Sequence, residues 1–137
     1  MGVKSKEELI VYQNNDIVVW KANKALDCVA IAGNYNLPIT KAGTKNLYSK
    51  YRFRYHSTFY FVRFKNATNK LNNHNHFINP LHFIVIDAQR NNKLCLGFTD
   101  QITVFIKYVT EQQLISKFPE LIALVENNII KNDAICS

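Results

Sequence analysis

The stretch "LHFIVIDAQRNNKLCLGFTDQITVFIKYV", residues 81–109, predicts three consecutive β-strands. Three short apolar runs, rich in Ile, Val and Phe, are separated by polar turns: 81–87, 93–98 and 102–109. Runs of this length and composition, bounded by Asn, Gln and Asp, are typical of neighbouring antiparallel strands. This meander determines the fold class, and the other segments are assigned around it.

Two segments upstream of the meander also predict strands. Residues 9–21, "LIVYQNNDIVVWK", indicate two strands around a turn at 13–16, because Asn and Asp adopt turn conformations readily. Residues 25–33, "ALDCVAIAG", are largely apolar and predict a third strand that is buried on both faces. Residues 33–47, which contain a proline and a second glycine, predict a long loop, and the polar residues 66–80 predict another.

The residues after the meander predict a C-terminal helical region over 110–130. Thr110 with Gln113 matches a capping box, which begins a helix, and Pro119 either kinks that helix or begins a second one. Several apolar residues follow helical spacing and predict the face that packs on the sheet: Leu114, Ile115, Phe118, Leu121, Ile122 and Val125.

The whole chain, residues 1–137, therefore predicts a single α+β domain. We expect a mainly antiparallel curved sheet or partly open barrel, with a C-terminal helix packed on it. A length of 137 residues and a hydrophobic content of 47% suit one domain with a real core. Cys28 and Cys95 lie in apolar runs and are predicted to be small core residues.

Composition also limits the classes of function. No apolar run is long enough to span a membrane, and the first residues lack the apolar stretch of a signal peptide. We therefore expect a cytoplasmic or nuclear protein that is not secreted. The three cysteines are widely separated, so neither a disulfide framework nor a cysteine zinc site is expected. No motif for a phosphate loop or a cofactor occurs, so no cofactor is expected.

The net charge of +7 is concentrated in the middle of the chain. Residues 28–86 contain eight Lys or Arg and all four histidines, but no Asp or Glu. Such a segment produces a local positive potential, which suits a phosphate-bearing partner, an acidic protein or an anionic lipid surface.

Within this segment, "KYRFRYHSTFYFVRFK" (50–65) alternates cations with aromatic residues. A hairpin with its turn at His56-Ser57 would place Tyr51, Phe53, Tyr60, Val62 and Phe64 on a core face. It would place Lys50, Arg52, Arg54, Phe59, Phe61 and Arg63 on the opposite, exposed face. A turn longer by one residue would instead direct Phe59 and Phe61 into the core.

This face predicts nucleic-acid binding without catalysis, with single-stranded RNA or DNA preferred. We expect the cations to contact phosphate: Lys41, Lys45, Lys50, Arg52, Arg54, Arg63, Lys65 and Lys70. Phe59 and Phe61 are expected to stack on bases. The main alternative is a non-enzymatic interaction or inhibitory protein, viral or microbial, that presents the same face to an acidic protein partner.

Three further chemistries have weaker support. A metal-independent ribonuclease would use His56 as its general acid or base. A metal site would draw on His74, His76 and His82, although no Cys, Asp or Glu lies close to them in sequence. A metal-dependent nuclease would need convergence of separated carboxylates: Asp16, Asp27, Asp87 and Asp100.

Overall fold

An open antiparallel sheet of six strands organises the described part of the chain. The computed structural model describes residues 4–33, 58–65, 70–71, 77–78, 81–87, 91–99 and 104–130. Its strands are β1 (Ile10–Gln13), β2 (Ile17–Ala22), β3 (Thr58–Phe64), β4 (Lys70–Leu71), β5 (Phe77–Ile78), β6 (Leu81–Asp87), β7 (Lys93–Thr99) and β8 (Val104–Tyr108). The sheet has the order β1-β2-β3-β6-β7-β8, and β4 pairs with β5 separately. With three short helices, this is a single small α+β domain, as predicted.

The two predicted hairpin regions are confirmed. β1 pairs with β2, and the Asn14 side chain closes their turn by accepting hydrogen bonds from the backbone N–H groups of Asp16 (2.7 Å) and Ile17 (2.9 Å). β6, β7 and β8 pair in sequence as a meander. Asn91 and Asn92, before β7, have φ of 56° and 58°, a conformation that Asn tolerates better than most residues.

The prediction of a strand over 25–33 is wrong, because Ala25–Ala32 forms helix α1. Its buried side chains follow a helical period instead of alternating. Asp27, in the first turn, accepts a hydrogen bond from the backbone N–H of Asn23 at 2.9 Å. Gly33 ends the helix with φ of 60°, a conformation that favours glycine.

The C-terminal helical region is confirmed, and its helices are α2 (Glu111–Lys117) and α3 (Ile122–Glu126). Both hydrogen bonds of the capping box between Thr110 and Gln113 are present. Pro119 begins a 3-10 turn that leads into α3. Among the predicted packing residues, Leu114 and Leu121 are buried, Ile115, Phe118 and Val125 are half-buried, and Ile122 is exposed.

Helical segments cover both faces of the sheet and define two cores. We call the side that packs against α1 the α1 face; its buried strand residues are Val18, Trp20, Ala22, Phe61, Leu81, Phe83, Val85 and Cys95. We call the other side the C-terminal face; its buried strand residues are Ile17, Val19, Tyr60, Val62, Phe64, Ile84, Leu94 and Leu96. Cys28 of α1 and Cys95 are buried and unpaired, which confirms that they are core residues.

The predicted long loops are only partly described. Within 66–80, the structure adds the short β4–β5 ladder, in which Lys70 opposes Ile78 and Leu71 opposes Phe77. Residues 34–47 of the other predicted loop lie outside the described residues.

Candidate nucleic-acid interface

Strand β3 carries the described part of the basic-aromatic segment, and its side chains alternate between the two faces of the sheet. Tyr60, Val62 and Phe64 are buried on the C-terminal face, which confirms that they are core residues. Phe61 and Arg63 therefore lie on the α1 face, where Phe61 belongs to the core and Arg63 is half-buried. Arg63 is thus a predicted contact residue whose side chain lies on the α1 face, in the electrostatic range of Lys6.

The predicted exposure of Phe61 is wrong. Its side chain is 0% exposed and packs beside Phe83, with the ring centroids 6.2 Å apart. The reason is that β3 is an interior strand, paired with β2 along one edge and with β6 along the other. The partners of β3 among the described residues are therefore β2 and β6, and the other strand of the predicted hairpin, residues 50–55, lies outside the described residues. Phe59 is half-buried and packs against the same cluster, as in the alternative register.

A lysine from the N-terminal segment lies against the tryptophan of β2. Lys6 precedes the 3-10 turn Glu7–Leu9, and the burial of Leu9 in the core holds this turn against the α1 face. The Nζ atom of Lys6 lies 4.8 Å from the ring centroid of Trp20. This separation is within the range of a cation–π contact.

Arg63 is close to the same lysine. It opposes Val18 in the β2–β3 ladder, which makes it a diagonal neighbour of Trp20 on the α1 face. Burial lowers the pKa of Lys6, the positive charge of Arg63 lowers it further, and Glu7 opposes these effects. Within the described part of the chain, no ion pair occupies the charge of Lys6 or of Arg63. Two cations held together in this way favour an anion between them.

Trp20 also carries an unsatisfied donor. Its side chain is 4% exposed, and its Nε1–H has no hydrogen-bond partner among the described residues. A buried donor without a partner costs about 1–3 kcal/mol, so groups of this kind call for a physical explanation.

The other predicted cations are only partly described. Lys65 is exposed directly after β3, where its backbone N–H donates to the Asp16 carbonyl at 2.7 Å. Lys70 is placed by its backbone in β4. The remaining predicted contact residues, and the histidine of the ribonuclease hypothesis, lie outside the described residues: Lys41, Lys45, Lys50, Arg52, Arg54 and His56.

His82 lies in an aromatic cluster on the C-terminal face and not in a polar site. Its ring centroid is 5.2 Å from that of Phe64, 5.0 Å from that of Phe118 and 5.7 Å from that of Phe98. Burial lowers the pKa of His82 to about 4, and the charge of Lys117 adds to this effect. His74 and His76 lie outside the described residues. Within the described ranges, no group of three potential metal ligands occurs.

The carboxylates of the nuclease hypothesis do not all converge. Asp16 lies in the β1–β2 turn, at one end of the sheet, whereas Asp87 ends β6 at the opposite end. Asp87 is buried and accepts a hydrogen bond from the Tyr108 hydroxyl at 2.9 Å. Asp27 is buried at the start of α1, and Asp100 lies outside the described residues. Because Asp16 and Asp87 lie at opposite ends of the sheet, the described carboxylates do not form the cluster that a metal-dependent nuclease requires.

Sequence reasoning missed Lys6 and Trp20 as members of the candidate site. Lys6 lies in an N-terminal segment whose charges balance, and Trp20 lies in an apolar strand. Neither position shows a motif. Their connection to Arg63 depends on the pairing of β2 with β3, which are far apart along the chain.

No protein-family model matches the chain, and no curated protein or solved structure matches it significantly. The described helices are all too short to cross a lipid bilayer.

Proposed function

We propose that the protein binds nucleic acid without catalysing a reaction, and that it prefers single strands to duplexes. The observation that carries this proposal is the segment 28–86, with eight Lys or Arg and no carboxylate. Nucleic acids attract such segments because each neutralised phosphate releases condensed counterions. No acidic residue lies among the eight cations of this segment, whereas an ordinary protein surface mixes charges of both signs.

The described geometry supports the proposal at one point. Arg63 belongs to the basic segment, and the fold places it beside Lys6 from the N-terminus. The positive potential of the segment is therefore reinforced by a cation that is distant in sequence. Lys65 follows at the end of the same strand and is exposed. In this proposal, Arg63 and Lys65 contact phosphate oxygens.

Fewer aromatic residues support the preference for single strands than the sequence predicted. Stacking of a base on an aromatic side chain contributes about 1–3 kcal/mol, and the buried Phe61 has no surface for it. Phe59 retains partial exposure on the α1 face and is the described residue that we assign to stacking. Phosphate contacts then supply most of the affinity.

Binding of labelled oligonucleotides over a salt series tests the proposal. Arg63→Met removes the charge but keeps an apolar stem, so packing of the half-buried side chain is largely preserved. We expect weaker binding, with a slope of log K against log salt smaller by about 0.7 for a single-strand contact. Comparison of a single strand with the duplex of the same sequence, by fluorescence anisotropy, tests the preference.

Lys107→Met is the matched control. Lys107 is exposed on the edge strand β8 and opposes Leu96, so it lies on the C-terminal face, away from Arg63. The control should leave both the affinity and the salt slope nearly unchanged. Absence of oligonucleotide binding at low salt would contradict the proposal, as would equal effects of the two variants.

The exposed side of α1, together with the basic segment 28–86, favours a second candidate function, the binding of an acidic protein. Leu26 and Val29 are 52% and 47% exposed, and their spacing places them side by side on the helix. Large apolar side chains that are grouped at the surface are typical of interaction sites. If this function is correct, a nuclease-treated lysate yields an acidic partner that wild type retains and a Leu26→Gln, Val29→Gln double variant does not.

A cytoplasmic or nuclear location remains part of the proposal. Cys28 and Cys95 are buried and unpaired, as is usual in reducing compartments. Burial raises the pKa of each thiol to about 12, with contributions from Asp27 and Asp87 respectively, so neither forms a thiolate readily.

A further inference from the structure

His82 lies where the C-terminal helical region meets the sheet. Its ring centroid is 5.0 Å from that of Phe118, which follows α2, and 5.2 Å from that of Phe64 on β3. The rings of Phe118 and Phe64 are themselves stacked, with their centroids 4.8 Å apart. The contact between the C-terminal region and this end of the sheet therefore includes three packed rings, one of which is titratable.

The packing around His82 suits a neutral imidazole. Its Nδ1 atom is buried and has no hydrogen-bond partner among the described residues. The rings that surround it, those of Phe64, Phe98 and Phe118, contain no oxygen or nitrogen that could accept from a second N–H group. A proton added to His82 would therefore place a charge and an unpaired donor in an apolar contact, which is unfavourable.

A neighbouring cation also opposes protonation of His82. The Nζ atom of Lys117 lies 5.6 Å from the ring centroid of Phe118, the residue of the C-terminal region that packs against the imidazole. Burial and the charge of Lys117 together lower the pKa of His82 to about 4. Other charged residues on the neighbouring elements are exposed: Asp16, Lys65 and Glu120.

The C-terminal region can separate from the sheet without disturbing the strands. Its helices α2 and α3 have seven and five residues, and isolated helices of this length are not stable in water. The backbone hydrogen bonds described for the region join its own residues, as from the Phe118 N–H to the Leu114 carbonyl at 2.9 Å. The strands are instead joined to one another by ladders. Loss of the side-chain contacts would therefore free the region without breaking a ladder.

We propose that protonation of His82 releases the C-terminal helical region from the sheet, while the strands and α1 stay folded. The release is reversible, because the contact re-forms when the imidazole loses its proton. Once released, the imidazole titrates near its ordinary value of 6.5, so acid favours the released form. Between pH 7 and pH 5, the ratio of released to attached molecules should rise about 20-fold.

Hydrogen exchange followed by mass spectrometry at pH 7 and pH 5 tests this inference, with rates corrected for the pH dependence of exchange in unstructured peptides. The amides of α2 and α3 should be less protected than those of β2 and β3 at both pH values, and their protection should fall about 20-fold at pH 5. Trp20, the one tryptophan of the sequence, is buried on the α1 face, so its emission should stay native at both pH values.

Three variants assign the release to His82. His82→Phe keeps a ring in the cluster but takes up no proton, so it should abolish the fall in protection of α2 and α3. Lys117→Met removes an exposed charge and should reduce the fall in part. Lys24→Met is the matched control, because it removes an exposed lysine at the start of α1, on the other face of the sheet, and should behave like wild type.

Two results would overturn the inference. If the amides of α2 and α3 are as well protected as those of β2 and β3 at both pH values, the region opens only together with the whole domain. If the 20-fold fall persists in a folded His82→Phe variant, another group causes the release. The wild-type protection pattern decides the first point even if His82→Phe does not fold.

Discussion

The environment of His82 makes the stability of the protein depend on pH. Burial among three phenylalanine rings, together with the charge of Lys117, lowers the pKa of His82 to about 4, below the ordinary value of 6.5. The folded state therefore keeps the imidazole neutral, whereas the unfolded state takes up a proton below pH 6.5. The stability that the neutral imidazole contributes to the folded state is fully present above pH 6.5 and is lost as the pH falls towards 4.

We expect the free energy of unfolding to fall by about 2 kcal/mol from this residue between pH 7 and pH 5. Urea unfolding at several pH values measures it. His82→Phe keeps a ring of similar shape in the aromatic cluster and should flatten that part of the profile. Lys117→Met removes the smaller cause of the shift, so it should reduce the pH dependence only in part. An unchanged profile in His82→Phe would contradict the assignment.

At the scale of secondary structure, the sequence predicted the elements that have strong local signals. Thr110 and Gln113 form the capping box expected from their spacing, and Pro119 begins the next turn. Helix α1 was missed because seven of its eight residues are apolar, and such a run fits a buried strand as well as a short helix. Its alanines and terminal Gly33 are the signals that could have identified it.

The sequence also did not show which side of the short helix α3 faces the sheet. Leu124 is 0% exposed and packs in the core of the C-terminal face, whereas Ile122, two residues earlier, is 46% exposed. The sequence pattern placed Ile122 on the buried side because it follows the spacing of one continuous helix. The break at Pro119 changes the helical phase, so Ile122 faces solvent instead. The contact of α3 with the sheet therefore depends on Leu124 and Leu121.

Alanine substitutions in α3 test this orientation. Leu124→Ala should lower the free energy of unfolding by about 2–5 kcal/mol, because it leaves a cavity in the core. Ile122→Ala removes an exposed side chain from the same helix and should change stability by less than about 0.5 kcal/mol. Urea unfolding of both variants measures the difference. Similar losses for the two would mean that α3 is rotated from the described position.

At the scale of the molecule, the sheet is covered on both faces, and this arrangement determines which aromatic residues are available for binding. Alternation alone indicated one buried and one exposed face for β3, which was correct for Tyr60, Val62 and Phe64. It was wrong for Phe61, since α1 and the N-terminal turn pack on the other face. The cover comes from segments distant in sequence, so the local pattern of β3 contained no sign of it.

Phe61 lies in the core of the α1 face, between Trp20 on β2 and Phe83 on β6. Its truncation should therefore affect the whole domain. We expect Phe61→Ala to reduce the free energy of unfolding by about 3–5 kcal/mol, a large part of the total for a domain of this size. The half-buried Phe59 serves as a comparison, and Phe59→Ala should cost less because part of its surface is already in water.

The two variants should also differ in binding. Phe59→Ala should weaken oligonucleotide binding while the protein stays folded, because Phe59 is assigned to base stacking. Phe61→Ala should bind less only in proportion to its unfolded fraction, so the affinity of the folded molecules is unchanged once that fraction is measured by circular dichroism. If folded Phe61→Ala binds more weakly than wild type, Phe61 contacts the ligand, and the assignment of this ring to the core would have to be abandoned.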